Sequence, residues 1–158
     1  MKISLEISGS GGCHFDKKKL KLAVRRTIEE VDEKNFSEKN FSISLVFVSE
    51  KRIRDINWRY RQKDSSTDVL SFAEFESERA IQKTKESDIF LGEIFTCPTD
   101  IKKYCREENL SFELEFFEVL SHGVLHLLGL EHGPKMFKIQ KKIAEEIFYC
   151  QEDSVFQK

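Results

Sequence analysis

Proline is almost absent from this chain: there are two, Pro98 and Pro134, in 158 residues. No proline-, glycine- or serine-rich stretch marks a linker, and no internal repeat divides the sequence. The expectation is therefore a single domain, residues 1–158, long enough to bury a real core. Long apolar runs are missing too. None approaches the roughly 20 residues that a membrane-spanning helix needs, and the N-terminus carries no apolar signal segment. A cytoplasmic protein without a membrane partner is expected. The four cysteines (Cys13, Cys97, Cys105 and Cys150) are scattered and form no C-x-x-C pair. They read as reduced, partly buried thiols, none of them marked as activated. A strong charge bias is also absent. The formal net charge of −2 speaks against a strongly basic nucleic-acid binder but leaves room for a local basic cleft.

What the chain has in quantity is phenylalanine, 14 residues, and clear periodicity. Residues 1–8 alternate apolar and polar, the pattern of a half-buried strand. Gly9-Ser10-Gly11-Gly12 breaks it and is too loosely spaced for a phosphate-binding loop. From Asp16 to about Glu33, Leu20, Val24, Ile28 and Val31 share one helix face. The opposite face carries Lys17, Lys18, Lys19, Lys21, Arg25 and Arg26, which can touch a polyanion or simply be solvated. Residues 41–48 alternate and then become apolar throughout, which suits a central strand. Ser49 caps a helix over Glu50 to Arg61, with Ile53 and Ile56 inward and Trp58 or Tyr60 as candidates for the same face. Residues 68–72 and 89–95 read as strands, and the charged connection from Glu74 to Ser87 reads as a hairpin-like loop. Pro98 opens a helix to about Glu108. Ser111 caps a long helix with Leu114, Phe117, Leu120, Val124 and Leu127 on its buried stripe. A last helix covers Lys135 to Cys150. The sum is an α+β domain of about four strands and about five helices.

Three of the four histidines, His122, His126 and His132, fall in the short stretch Ser121-His122-Gly123-Val124-Leu125-His126-Leu127-Leu128-Gly129-Leu130-Glu131-His132. Positions four apart on a helix differ by roughly 40° in azimuth and about 6 Å in rise, so His122 and His126 are neighbours able to share a metal. His132 joins them only if the helix stops. A continuing helix would turn it about 240° away. Gly129 sits where a left-handed residue can end the helix, and Gly133-Pro134 turns the chain again. The spacing predicts one zinc ion held by His122, His126 and His132, on a late helix and its following turn, with an open fourth position. Glu131 or a distant Cys is the competing fourth ligand. An open position lets zinc make a hydrolytic nucleophile from water near neutral pH. In H-E-x-x-H peptidases a glutamate follows the first histidine as general base. Here that residue is Gly123, which permits close approach of backbone or ligand. Glu118, one turn before His122, shares the helix face and is either a site neighbour or a solvated charge.

The polar run Tyr60-Arg61-Gln62-Lys63-Asp64-Ser65-Ser66-Thr67-Asp68-Val69-Leu70-Ser71-Phe72 precedes and enters a strand. Arg61 can clamp a phosphate through two parallel hydrogen bonds, which an ammonium cannot do. Thr67 and Ser71 can add hydroxyl donors. Equally, Arg61 can pair with Asp64 or Asp68 in a structural loop. The residues alone leave these two readings level.

His122 to His132 closely resembles the H-G-x-L-H-L-x-G-x-D-H signature of the YbeY family of bacterial endoribonucleases. The Arg61 segment resembles that family's Y-R-x-K-D-x-x-T-D-V-L-S-F stretch, and Leu91-Gly92-Glu93-Ile94 its L-G-D-I strand. The resemblance implies one zinc per chain on the three histidines and a role near the site for Arg61. It also implies an α+β fold with a mixed sheet and action on ribosomal RNA in the maturing small subunit. On this reading Arg61 stabilises charge on phosphate oxygens, Arg61 and Lys63 bind the substrate, and the Lys17–Arg26 face steers the backbone. The expected target is single-stranded RNA. Three departures stand out. Glu131 and Glu93 replace aspartates, and acidic residues after the third histidine are missing. Two rivals remain: a zinc metallopeptidase or other amide hydrolase, and a ribosome assembly factor whose zinc is only structural.

Overall fold

β1 (Lys2–Ser8) and β2 (Asn40–Phe47) lie parallel, joined by the crossover helix α1 (Lys17–Phe36). The computed structural model describes residues 1–150; the last eight residues of the expected 1–158 domain lie outside it. In β2, Phe41, Ile43, Leu45 and Phe47 are buried while their neighbours are half-buried. The alternation of side chains across a strand thus persists to the end of β2. The strand is internal as expected, but the apolar run at its end keeps one face less covered.

α2 (Glu50–Arg61) follows, capped by Ser49, whose hydroxyl accepts from the Arg52 N–H. Then come β3 (Val69–Ala73), the short α3 (Glu78–Lys83) and β4 (Asp88–Thr96). The sheet order is β1-β2-β4-β3, with β4 parallel to β2 and β3 antiparallel on the edge. α4 (Pro98–Glu108), α5 (Phe112–Leu127) and α6 (Pro134–Tyr149) complete the chain. The mixed-sheet α+β expectation holds, with six helices rather than five among the described residues.

Two local expectations are corrected. The Glu74–Ser87 connection is not merely a loop. Ser77 caps α3 by accepting from the Ala80 N–H, and Ile81, fully buried, anchors that turn to the core. Neither Trp58 nor Tyr60 packs inward; they are 57% and 62% exposed. The inward position next to Ile53 and Ile56 is taken by Asn57, whose side-chain amide donates to the Ser65 carbonyl.

The two faces of the sheet are covered unequally. α1, α5 and α6 close one large core on one face, including Leu20, Val24, Ile28, Phe116, Phe117, Val124, Leu125 and Ile143. Under α2 lies a smaller cluster of Ile53, Ile56, Leu70 and Cys97, with Val48, Phe72 and Phe95 packed against it. Edge strand β3 separates the two regions. Gly92, on β4 beside it, has φ 134°, and a Cβ there would fall 2.0 Å from the Phe72 carbonyl oxygen. Only glycine lets β3 come this close.

Candidate metal centre and its cleft

α5 begins at Ser111, whose hydroxyl accepts from the Leu114 N–H. Its buried side holds Phe116, Phe117, Leu120, Val124 and Leu127, and leaves His122 and His126 half-buried on the other side. The buried Thr27 and Ser121 hydroxyls meet at 2.9 Å and fasten α1 to α5 one residue before His122. Gly123 lies against the sheet, where a Cβ would come within 3.2 Å of Ile94 and 3.3 Å of the Ser71 Oγ. The close approach expected at this glycine is thus to the sheet, and the Ser71 hydroxyl donates to the Gly123 carbonyl at 3.3 Å.

The helix ends as its glycine predicts. The Leu130 N–H donates to the Leu125 carbonyl and the Gly129 N–H to the His126 carbonyl, both at 3.0 Å, with Gly129 at φ 85°. This is the two-bond left-handed helix stop in which glycine follows the C-cap. It folds the chain back and delivers His132. The Nε2 atoms of His122, His126 and His132 lie 3.0, 3.1 and 3.3 Å apart pairwise. Three nitrogens bound tetrahedrally at about 2.0–2.1 Å would be separated by about 3.3 Å, so the donor set fits a single zinc ion. Neither Glu131 nor any cysteine joins the cluster among the described residues, and all four cysteines are free thiols.

The rings are held from behind. The His122 Nδ1–H faces the Gln140 Oε1 at 2.7 Å, and the His126 Nδ1–H faces the Leu130 carbonyl at 3.1 Å. Donating from Nδ1 leaves a lone pair on each Nε2, the form a metal takes. Gln140 in turn donates from Nε2 to Glu118 at 3.1 Å. Glu118 is therefore a site neighbour, acting through Gln140. Burial, reinforced by His122, His132 and Arg61, holds the His126 pKa below the ordinary 6.5, which again favours the neutral ring. Behind His122 is a small pocket of about 170 Å³ lined by Asp68, Glu115, Glu118 and Gln140 among others. Burial first, then Glu118 and Asp68, pushes the Glu115 carboxyl above its usual range. The triad thus has carboxylates to its rear, a field that favours a cation.

In front of the histidines opens a cleft of about 720 Å³, walled by the triad on one side and by Tyr60 and Arg61 on the other, with residues 67–72 between. Thr67 and Ser71 both line it. Asp64 pairs with Arg54 at 2.7 Å, so the expected Arg61–Asp64 alternative is already occupied. Among the described residues Arg61 has no carboxylate partner. Gln62, left-handed at φ 53°, ends α2 and leaves Arg61 at the rim. Lys63 is exposed but does not line the cleft. The basic face of α1 contributes nothing to the cleft either. Lys19 pairs with Glu113, Arg25 with Glu29, and Arg26 with Glu29 and Glu146. Gln140 and Glu115 are the neighbours that sequence reasoning missed. Gln140 reaches His122 from another helix, so no spacing within the histidine stretch could signal it.

The fold and the triad define a class: small α+β metal-dependent hydrolases with one metal position at the head of an open cleft. The chain belongs to the endoribonuclease YbeY family, whose model matches residues 8–148. It is 34% identical over 136 residues to the endoribonuclease YbeY of Thermotoga maritima, covering 82% of each chain. It is 39% identical over 117 residues to that of Lactobacillus helveticus, covering 68% of this chain and 67% of the relative. A solution structure of a Thermotoga maritima protein superimposes with a TM-score of 0.59 at 30% identity, covering 97% of this chain and 94% of that one. No helix among the described residues is long and apolar enough to cross a membrane.

Proposed function

We propose that the chain acts as one metal-dependent hydrolase domain: a cytoplasmic, zinc-dependent endoribonuclease that cuts single-stranded RNA during maturation of small-subunit ribosomal RNA. The observation that carries this reading is the convergence of three imidazole Nε2 atoms, 3.0–3.3 Å apart, across a cleft from the guanidinium of Arg61. Zinc, when bound, supplies a Lewis acid and an activated water at neutral pH. His122, His126 and His132 hold it, with Gln140 and the Leu130 carbonyl fixing two of the rings.

Arg61 would bind the scissile phosphate and oppose the charge that grows on its oxygens, preorganised by its place at the end of α2. Thr67 and Ser71 line the same cleft, but their hydroxyls donate to Asp68 and to the Gly123 carbonyl, so the phosphate-binding role falls to Arg61. Lys63 and the α1 lysines lie outside the cleft lining and bear on substrate only through longer-range attraction, which makes binding salt-sensitive. A cleft open along an edge strand suits an unpaired strand better than a duplex.

Gly123 packs against Ile94 and Ser71, so the place of a peptidase's general-base glutamate is filled by the sheet. The deciding experiment is metal analysis of the purified protein combined with assays on small-subunit precursor RNA and on casein. One zinc per chain and RNA cleavage are expected. Casein cleavage lost on His126→Ala, or a zinc-loaded protein inert toward RNA, would overturn the assignment.

A further inference from the structure

Beside the metal cleft, on the opposite side of β3, lies a second pocket of about 260 Å³ that no step above uses. Tyr60 and Phe72 line both, so the pocket adjoins the cleft across these two side chains. Its walls are aromatic. Tyr60 meets Phe72 edge-on with ring centroids 5.0 Å apart, and Phe72 meets Phe95 likewise at 5.7 Å. Arg52 and Arg59 stand on its rim and Glu93 lines it. Among the described residues neither arginine has a carboxylate partner, although Glu93 is close by. In register, Phe72 sits opposite Glu93 across the β3–β4 ladder, which puts a ring and a carboxylate side by side.

Resting on the nuclease reading, we propose that this pocket receives one unpaired nucleobase of the RNA strand, the base flanking the phosphate held in the metal cleft. The chemistry matches each part of a nucleotide. Aromatic side chains give a face or edge for a base. The guanidiniums of Arg52 and Arg59 meet the adjoining phosphates. Glu93 accepts from an exocyclic amino group, as carboxylates do from cytosine N4, so adenine, guanine or cytosine is favoured over uracil. The volume is below the about 300 Å³ where pockets for whole drug-sized ligands begin, and it suits a single ring system. Tyr60 is the exposed ring of this wall, while Phe72 and Phe95 are half-buried on the α2 cluster and present only part of their surface to the pocket.

The test uses the zinc-loaded protein and a short single-stranded RNA that it cleaves. Nucleotides are replaced one at a time by abasic ribose, and kcat/KM is measured for each. At one position next to the cut, loss of the base is expected to lower kcat/KM about tenfold. In Tyr60→Ala, which removes an exposed side chain, that same replacement should cost nothing further. Glu93→Gln should erase the preference for an amino-bearing base over uridine at that position alone. Trp58→Ala, exposed on the same helix but outside the pocket, should keep the native pattern. Equal abasic penalties at every position, or the same penalty in Tyr60→Ala as in the native protein, would overturn the pocket while leaving the nuclease assignment intact. A zinc-loaded protein that cleaves no RNA would remove both.

Discussion

The two walls of the cleft are built on very different foundations. The histidine wall rides on α5, where Val124, Leu125 and Leu127 are fully buried and α1, α6 and the sheet close around them. The arginine wall rides on α2, which rests on a cluster of four buried residues and buries only Ile53, Ile56 and Asn57 of its own. Each fully buried aliphatic side chain contributes about 1.5–3 kcal/mol, so the difference in anchoring is several such contributions. The metal position is held rigid by the larger core. The Arg61 side is lightly anchored and, on the proposed function, is the part free to adapt to a strand.

His126→Ala strikes the anchored wall hardest. It should abolish zinc retention and RNA cleavage together, as read by metal analysis and a gel assay, while the far-UV spectrum stays native. Arg61→Ala should leave zinc content unchanged and lower the cleavage rate by about 10²–10³-fold, the usual cost of one preorganised charge donor. Normal cleavage in that variant would make Arg61 structural and the contrast between the walls meaningless. Gln140→Ala removes the hydrogen-bond partner of His122 and should weaken zinc affinity by about 10–100-fold, measured by competition with a chelator. Glu118→Gln, one contact farther back, should do less.

The smallest effect is a pH dependence. His126 is held below the ordinary 6.5 chiefly by burial, and by its two neighbouring imidazoles and Arg61. In the unfolded chain it protonates near its normal value, and in the folded chain only at lower pH. The metal-free protein should therefore keep its full stability above about pH 6.5 and lose some as the pH falls through and below that value. Urea titrations across this range check the sign. A flat profile in the native protein, or the same slope in His126→Ala, would refute the assignment.

The histidine wall was legible because its parts are local. Ligand spacing, the stopping glycine and the return turn all lie between residues 122 and 132, where helix geometry alone dictates who meets whom. The arginine wall was only half legible. Its strand and helix could be read, but whether Arg61 was free depended on Asp64. That carboxylate is taken by Arg54, ten positions back, through a turn at Gln62 that no periodicity announces. α3 escaped notice because a single apolar anchor, Ile81, shows no period within a charged stretch. Trp58 and Tyr60 misled because large aromatics are usually inward, whereas here a buried asparagine takes the third contact. Gln140 needed the packing of α6 on α5.

Gly92 sets how closely the cleft floor lies against β4. Any other residue there would meet the Phe72 backbone and push β3 outward, moving the floor between guanidinium and imidazoles though neither is altered. Such a variant would still fill with zinc and would fail only at holding substrate across the gap. Damage to the enzyme can therefore originate at a site that no inspection of its reactive groups would single out.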